Sequence, residues 1–239
     1  MKVIDAFWEK RNLGVDTVEF VVEDTDGIEV LEEIKKHEKQ YNVLKVPMAI
    51  PWLAAAVQEN GYRFIECSYH AVHNLHEIPM NSIQKRMVDA VSLELMNNDD
   101  IEFLFSEIRN GLFDTDRIYN DLFFTHEQAA ERYVNWIKDE LQRDTELYKQ
   151  VYKGKIFGFT TLKEISPGVY FPFLSGLYKE YRQSGLGITS IPKIYEKIKE
   201  KGGKLYSTYF SSNNPTQLNL HLDCEFKIKK VVYVFVKHR

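Results

Sequence analysis

The chain has 239 residues, 44% apolar and 28% charged, an ordinary balance for a folded protein and enough to bury a core in one large domain or two small ones. A formal charge of −4 without a clustered basic face argues against a nucleic-acid partner, and no apolar run approaches the roughly 18 residues of a membrane span. Cys67 and Cys224 are too few and too far apart for a disulfide framework, and residues 1–14 lack the unbroken apolar stretch of a secretion leader, so a cytoplasmic location is expected.

Residues 17–23 (TVEFVVE) are β-branched and aromatic and predict a strand. Asp26-Gly27 marks a turn, and Ile28, Val30, Leu31 and Ile34 give 28–40 a helical spacing. Residues 41–46 read as a strand. Pro51 opens a short helix through Glu59, stopped by Asn60-Gly61, and 62–69 (YRFIECSY) is again strand-like. This alternation points to an α/β sheet. Residues 70–85 lack periodicity and carry Pro79, so the expected division falls here: an N-terminal α/β subdomain over 1–85 and a second domain over 86–239. No internal repeat or low-complexity segment is evident.

In the second part, 88–95 predicts a strand and 99–109 a helix. Residues 110–124 are polar and aromatic without a period, a kind of segment that is often functional inside a compact domain. Thr125, followed three residues later by Gln128, is a capping-box pattern for a helix through about Leu141, with Ala129, Tyr133, Trp136 and Ile137 on one face. Strands are expected at 145–152, 155–162 and 169–178, with turns at Lys153-Gly154 and Pro167-Gly168. A glycine-containing turn then leads into a helix from Gly185 to about Lys201, ended by Gly202-Gly203. The chain finishes with a strand at 204–210, a short helix at 215–222 and a long strand at 226–236. Lys197, Lys199, Lys201 and Lys204 gather near one helix end, where a solvated face is the ordinary explanation and a phosphate-facing role the other.

The informative segment is 177–188, LYKEYRQSGLGI. It joins a predicted strand to a predicted helix. Gly185 and Gly187 allow a tight turn and close approach of a ligand, and the first amides of the helix have no partner inside it. Such an end carries a positive dipole and binds phosphate, so this unit, with Arg182 beside it, is a candidate pyrophosphate cradle.

The spacing Arg182-x-x-Gly185-x-Gly187, preceded by Glu180-Tyr181, resembles the Q/R-x-x-G-x-G/A signature of the GNAT acetyltransferases. Asn214, Leu220 and Phe226 are similar to that family's second pattern, an Asn, a short helix and a Gly-Phe entering the last strand. The resemblance covers 88–239. It implies an α/β GNAT fold: a mixed, mostly antiparallel central sheet flanked by helices, with a smaller α/β subdomain before it. It also implies acetyl-CoA or a longer acyl-CoA as co-substrate and no metal. Leu177, Arg182, Gln183, Ser184, Gly185, Leu186, Gly187, Ile188 and Asn214 would hold the acyl-CoA. The backbone N–H near Leu177 would stabilise the tetrahedral oxyanion, and Asn214 would bind the pantetheine arm. The family's usual Tyr, seven residues after that Asn, is here His221, which as an imidazolium would protonate the departing thiolate. Glu225 replaces the usual Gly, and Pro192 should kink the helix after the glycine loop or alter its first turn.

Direct attack by an amine is the expected chemistry, with Glu107, Asp121 and His126 as candidate bases by position. Ping-pong transfer through Cys224, activated by His221, is the alternative. The opening FWEKRNLGV (7–15), the later NGYRFIE (60–66), Phe123-Phe124, Tyr133 and Trp136 resemble segments of bacterial TDP-amino-sugar N-acetyltransferases of the TDP-fucosamine type. That resemblance implies a dTDP-linked amino-deoxysugar as acceptor, with Tyr119, Phe123, Phe124 and Tyr133 contributing an aromatic surface. A small amine, amino acid or peptide N-terminus is the second acceptor class, and a non-catalytic acyl-CoA sensor the reading from outside enzymes. Exposed sheet edges leave room for a homodimer.

Overall fold

The computed structural model describes residues 1–143 and 145–239. Its first elements are β1 (Lys2–Asp5), α1 (Trp8–Leu13), β2 (Thr17–Val21), α2 (Val30–His37), β3 (Tyr41–Pro47), α3 (Pro51–Glu59), β4 (Arg63–His73) and α4 (Ser82–Asp89). Then follow β5 (Val91–Leu95), α5 (Asn98–Arg109), α6 (His126–Leu141), β6 (Glu146–Tyr152), β7 (Lys155–Ser166), β8 (Val169–Phe171) and β9 (Ser175–Leu177). The last are α7 (Ser190–Glu200), β10 (Leu205–Ser211), α8 (Pro215–Asp223) and β11 (Lys227–His238).

Local signals placed most of these. Thr125 Oγ1 accepts from the Gln128 amide while the Gln128 side chain accepts from Thr125 N, the reciprocal cap expected for α6. Asn81 and Asn97 cap α4 and α5 in the same way. Several expectations are corrected. The strand expected over 169–178 is two short strands, β8 and β9. The strand expected from Val88 begins at Val91, because 82–89 is helix. The 70–85 segment, read as aperiodic, contains the end of β4 and most of α4, and β1 and α1 were not foreseen.

All strands join one sheet, in the order β1-β2-β3-β11-β4-β10-β8-β7-β6-β5, with β9 pairing β7 beyond the end of β8. Among the described residues, only β2–β3 and β10–β8 are parallel pairs. On one face, α2 and α3 bury Val30, Ile34, Leu53 and Val57 against Phe20, Leu44 and Phe235, and α7 buries Ile191, Ile194 and Ile198 against Ala71, Tyr206 and Phe226. On the other, α5 and α6 cover Leu147 and Phe159, while Leu13 of α1 and Ile118 and Phe124 of the α5–α6 connection cover Val43, Val234 and Val236.

The structure contains an internal repeat that the sequence hid. The unit β3-α3-β4 recurs as β10-α8-β11. Pro51 and Pro215 each open the helix, after Ile50 at φ −118°, ψ 67° and Asn214 at φ −119°, ψ 76°. Each helix ends in a residue at positive φ, Gly61 at 84° and Glu225 at 60°. The two units interleave: β11 lies between β3 and β4, and β4 lies between β11 and β10. The expected division near residue 85 therefore falls between segments that share one sheet.

Candidate active site

The sheet opens at one place. β10 pairs with β8 only at Leu205–Val169 and Tyr206–Tyr170, whereas β9 pairs with β7 alone. The residues of β9 and the last residues of β10 thus flank a split. Tyr178 N donates to Phe157 O at 3.0 Å and Thr161 N to Leu174 O at 2.8 Å. Backbone groups alternate in direction along an antiparallel strand, so the N–H groups of Ser175 and Leu177 point away from β7, into the split. A negatively charged oxygen in the split would find hydrogen-bond donors there. The corresponding strands of the first repeat, β2 and β3, are paired from Thr17–Tyr41 to Val21–Lys45 and leave no opening.

Beyond β9 the chain makes a short 3-10 turn at Lys179–Tyr181, then the glycine loop, then a second 3-10 turn at Leu186–Thr189 that runs into α7. Pro192 is therefore the third residue of α7, within its first turn, and a 3-10 turn leads into it, the altered start expected as the alternative to a kink. Gly185 has φ 77° and open space around it, and a Cβ on Gly187 would stand 3.2 Å from Leu177 Cδ1. Gln183, Ser184 and Gly185 are exposed, Gly187 and Ile188 half-buried, and Leu186 anchors the loop against Val91 and Phe157. Ser184 Oγ donates to Tyr181 O and accepts from Leu186 N, fixing the turn. Arg182 donates to Leu112 O at 2.6 Å and to Asp114 at 3.1 Å, which ties the loop to the 110–124 segment. Nothing in the sequence signalled that tie. Lys197 and Lys201 pair with Glu200 and Glu146 near the far end of α7, as a solvated face requires. The loop that precedes α2 in the first half carries Glu23, Asp24, Asp26 and Glu29 instead, a setting that repels phosphate.

Asn214 caps α8, its Oδ1 accepting from Gln217 N at 3.2 Å. His221 lies on α8, 4% exposed, stacked on Phe210 and edge-on to Phe226. Its Nδ1 is 2.6 Å from the Gln217 carbonyl, which can only accept, so Nδ1 carries the proton and Nε2 is an acceptor. Burial pushes its pKa down to about 4. A proton donated from Nε2 would need an imidazolium, a form that this environment disfavours at neutral pH. Cys224 is buried too, and burial pushes its thiol up to about 11.

The residues expected on the acceptor side are dispersed. Tyr119 stacks on His126 at 3.9 Å, Phe124 is buried against Tyr41, and Tyr133 is buried with its hydroxyl donating to Asp116 at 2.7 Å. Phe123 is 59% exposed and stacks on His238. Of the candidate bases, Asp121 is buried between Arg63 at 2.8 Å and His238 at 2.7 Å, and is held there by both. Glu107 is half-buried and His126 exposed.

Sequence reasoning missed the floor between the two helical covers. There the outer face of β4 and β10 is polar: Ser68 and Ser211 are cross-strand partners, as are His70 and Tyr209. His70 Nε2 is 2.9 Å from Ser207 Oγ, its ring stacks on Tyr209, and Tyr209 reaches Phe171 at the end of β8. The alternation of Ser207, Tyr209 and Ser211 on one side of β10 was the available signal. The result is an open trough beside the split. Among the described residues, no three His, Cys, Asp or Glu side chains are grouped to hold a metal ion, and no helix is long and apolar enough to cross a membrane.

No family model and no curated protein sequence matches the chain. Solved structures do. A GCN5-related N-acetyltransferase from Sphaerobacter thermophilus matches with a TM-score of 0.64 at 10% identity, over 99% of this chain and 75% of its own. A GCN5-related N-acetyltransferase from Kribbella flavida gives 0.54 at 12%, over 93% and 81%. A tandem GNAT protein from the clavulanic acid biosynthesis pathway gives 0.52 at 14%, over 87% and 66%. At these identities the likeness is one of fold, and the fold is that of the GNAT N-acetyltransferases.

Proposed function

We propose that the chain is an acyl-CoA-dependent N-acyltransferase that works by direct attack of an amine on the thioester. The observation that carries this reading is the split between β9 and β10, with the Leu177 N–H turned into it and the glycine loop at its end. A pantetheine arm laid in the split would place its pyrophosphate on the loop 182–188 and its thioester carbonyl within reach of the Leu177 amide. Asn214, at the end of β10, faces the opposite wall. The closed β2–β3 pair and the acidic loop of the first half support a single acyl-CoA site, held by 86–239, with 1–85 serving the acceptor side.

For the acceptor we propose a dTDP-linked amino-deoxysugar. Support for it is the set of sequence fragments in 7–15, 60–66 and 123–136. Phe123 is the exposed ring available to a base, since Tyr119, Phe124 and Tyr133 are engaged in packing. The test is thiol release from acetyl-CoA against dTDP-amino-deoxysugars, glucosamine, spermidine and an amino-acid amide. Release with the sugar nucleotide establishes the full reading. Release only with the simpler amines keeps the acyl transfer and discards the nucleotide. The neutral, buried His221 favours a second reading, an acyl-CoA sensor, which predicts binding of coenzyme A with no release for any amine, longer acyl chains included.

A further inference from the structure

Buried carboxylates in this fold come with a cation. Glu9 meets Arg132 at 2.8 Å, Glu19 meets Lys45 at 2.8 Å, Asp100 meets Lys149 at 2.8 Å, Asp121 meets Arg63 at 2.8 Å and Glu140 meets Lys163 at 2.8 Å. An unpaired buried ion is costly, which is why the rule holds. Among the described residues Glu66 breaks it. It is 8% exposed, yet no Lys, Arg or His nitrogen lies within 4.0 Å of it. Its Oε2 accepts from Ser211 Oγ, while Oε1 has no hydrogen bond and keeps contact with solvent.

Its place in the sheet gives this exception a use. Glu66 stands on β4, on the same face as Ser68, His70, Tyr209 and Ser211, at the end of the trough. Counting along the strands from the Tyr206–Tyr170 pair, Ser175 to Leu177 run level with the end of β10, where Ser211 sits. Glu66 is therefore one strand from the split, a spacing of about 5 Å, at the height of the Leu177 amide.

We propose that Glu66 is the acceptor-side catalytic carboxylate, which receives the ammonium of the acceptor in the trough and takes the proton that blocks attack. This rests on the acyl-transfer reading above. The ammonium passes one proton to Glu66, becoming a neutral amine. Its lone pair forms the C–N bond with the thioester carbon, and the carbonyl π pair moves to the oxygen facing the Leu177 N–H. Collapse of that oxyanion breaks the C–S bond. The departing thiolate takes the second proton from the now cationic nitrogen, and Glu66 returns its proton to solvent. The products are an amide, free coenzyme A and one proton. On this route the thiolate needs no separate acid, which agrees with a neutral His221.

The surroundings suit the task. Burial, the largest influence, raises the affinity of Glu66 for a proton, and Asp116 raises it too, while the Ser211 hydrogen bond, Arg117 of the α5–α6 connection and Lys45 of β3 lower it. The net effect is a raised pKa, toward the working range of a general base. Tyr133 of α6 also faces it, with its hydroxyl committed to Asp116.

Glu66→Gln keeps the shape and an acceptor for Ser211 but removes the charge. With the amine from the panel that wild type acylates fastest, we expect kcat/KM to fall at least about 100-fold, in line with loss of a general base. Coenzyme A affinity by calorimetry should stay within about twofold. In wild type, kcat/KM should fall as the pH drops through the pKa of Glu66, and this limb should vanish in the Gln variant. Ser211→Ala removes a hydrogen bond to the carboxylate and should move the limb to higher pH, which keeps the proposal testable if Glu66→Gln does not fold. A Gln variant with wild-type kcat/KM, or an acid limb unmoved by Ser211→Ala, overturns the role of Glu66. Absence of thiol release from wild type with every amine and acyl length instead overturns the acyl-transfer reading beneath it.

Discussion

Replacing His221 with Phe separates two consequences of its burial. The ring's pKa falls from 6.5 to about 4 because the charged form is desolvated. The unfolded chain, with the ordinary value, takes up a proton first as the pH drops. His221 thus contributes stability that is complete above about pH 6.5 and is lost as the pH falls toward 4. At 1.36 kcal/mol per pH unit, the loss reaches about 2 kcal/mol by pH 5 and about 3 kcal/mol by pH 4. Phe keeps the stack on Phe210 and the edge contact with Phe226, but cannot titrate. Urea unfolding followed by tryptophan fluorescence, at about pH 7 and about pH 5, should show wild type losing about 2 kcal/mol more than His221→Phe across that interval. The comparison of slopes is unaffected by the Gln217 carbonyl that Phe leaves without its partner. Equal slopes would refute the burial argument. The same variant tests the thiolate: thiol release within a few-fold of wild type fits the neutral ring, whereas a drop of about 100-fold or more would restore His221 as the acid.

Leu177→Pro deletes the amide that points into the split without removing a ladder hydrogen bond to β7. Steady-state kinetics should show kcat reduced by about 100- to 1,000-fold, the cost of one oxyanion donor, with the melting temperature little changed. Glu225 holds φ 60°, a conformation that glycine adopts freely, so Glu225→Gly should raise unfolding free energy by roughly 1 kcal/mol in urea titrations; a loss would contradict the strain at that turn. Cys224→Ala should leave thiol release intact and give no burst of acylated protein by mass spectrometry, because a buried thiol at about 11 is protonated at working pH.

The elements that the sequence disclosed were those with local chemistry. Thr125 and Gln128 announce α6 through their reciprocal cap, and Pro51 with Asn60-Gly61 bracket α3 to the residue. The glycine loop was legible for the same reason, since Arg182, Gly185 and Gly187 lie within six residues of one another. Long-range placement was not. The Leu177 amide faces the split because β9 leaves β8 and pairs elsewhere, and nothing in SGL shows that. Val169 to Tyr178 reads as one β-rich run although the chain breaks pairing in the middle. The repeat was invisible because its two copies share backbone geometry at Pro51 and Pro215 but little side-chain identity. Glu66 looked like one more residue of a strand, and its lack of an ion-pair partner emerges only when β3, β10 and the 110–124 segment surround it. Tyr119, Phe124 and Tyr133 show the converse: an aromatic-rich segment supplied its own packing.

The interleaving of β4 and β11 sets the order in which this chain can be assembled. During synthesis, residues 1–73 emerge with β3 and β4 on either side of a gap that no earlier segment fills. Until residues 227–238 have been made, β3 and β4 each expose an edge open to pairing with any extended chain, while Phe20 and Leu44 await Phe235. Open edges of this kind are what pairing with foreign strands exploits, and here they stay open until the late strand arrives. The closing event is insertion of one late strand into a slot already lined on both sides. Folding speed should be governed by that single insertion, which spans most of the sequence, and not by the early helices.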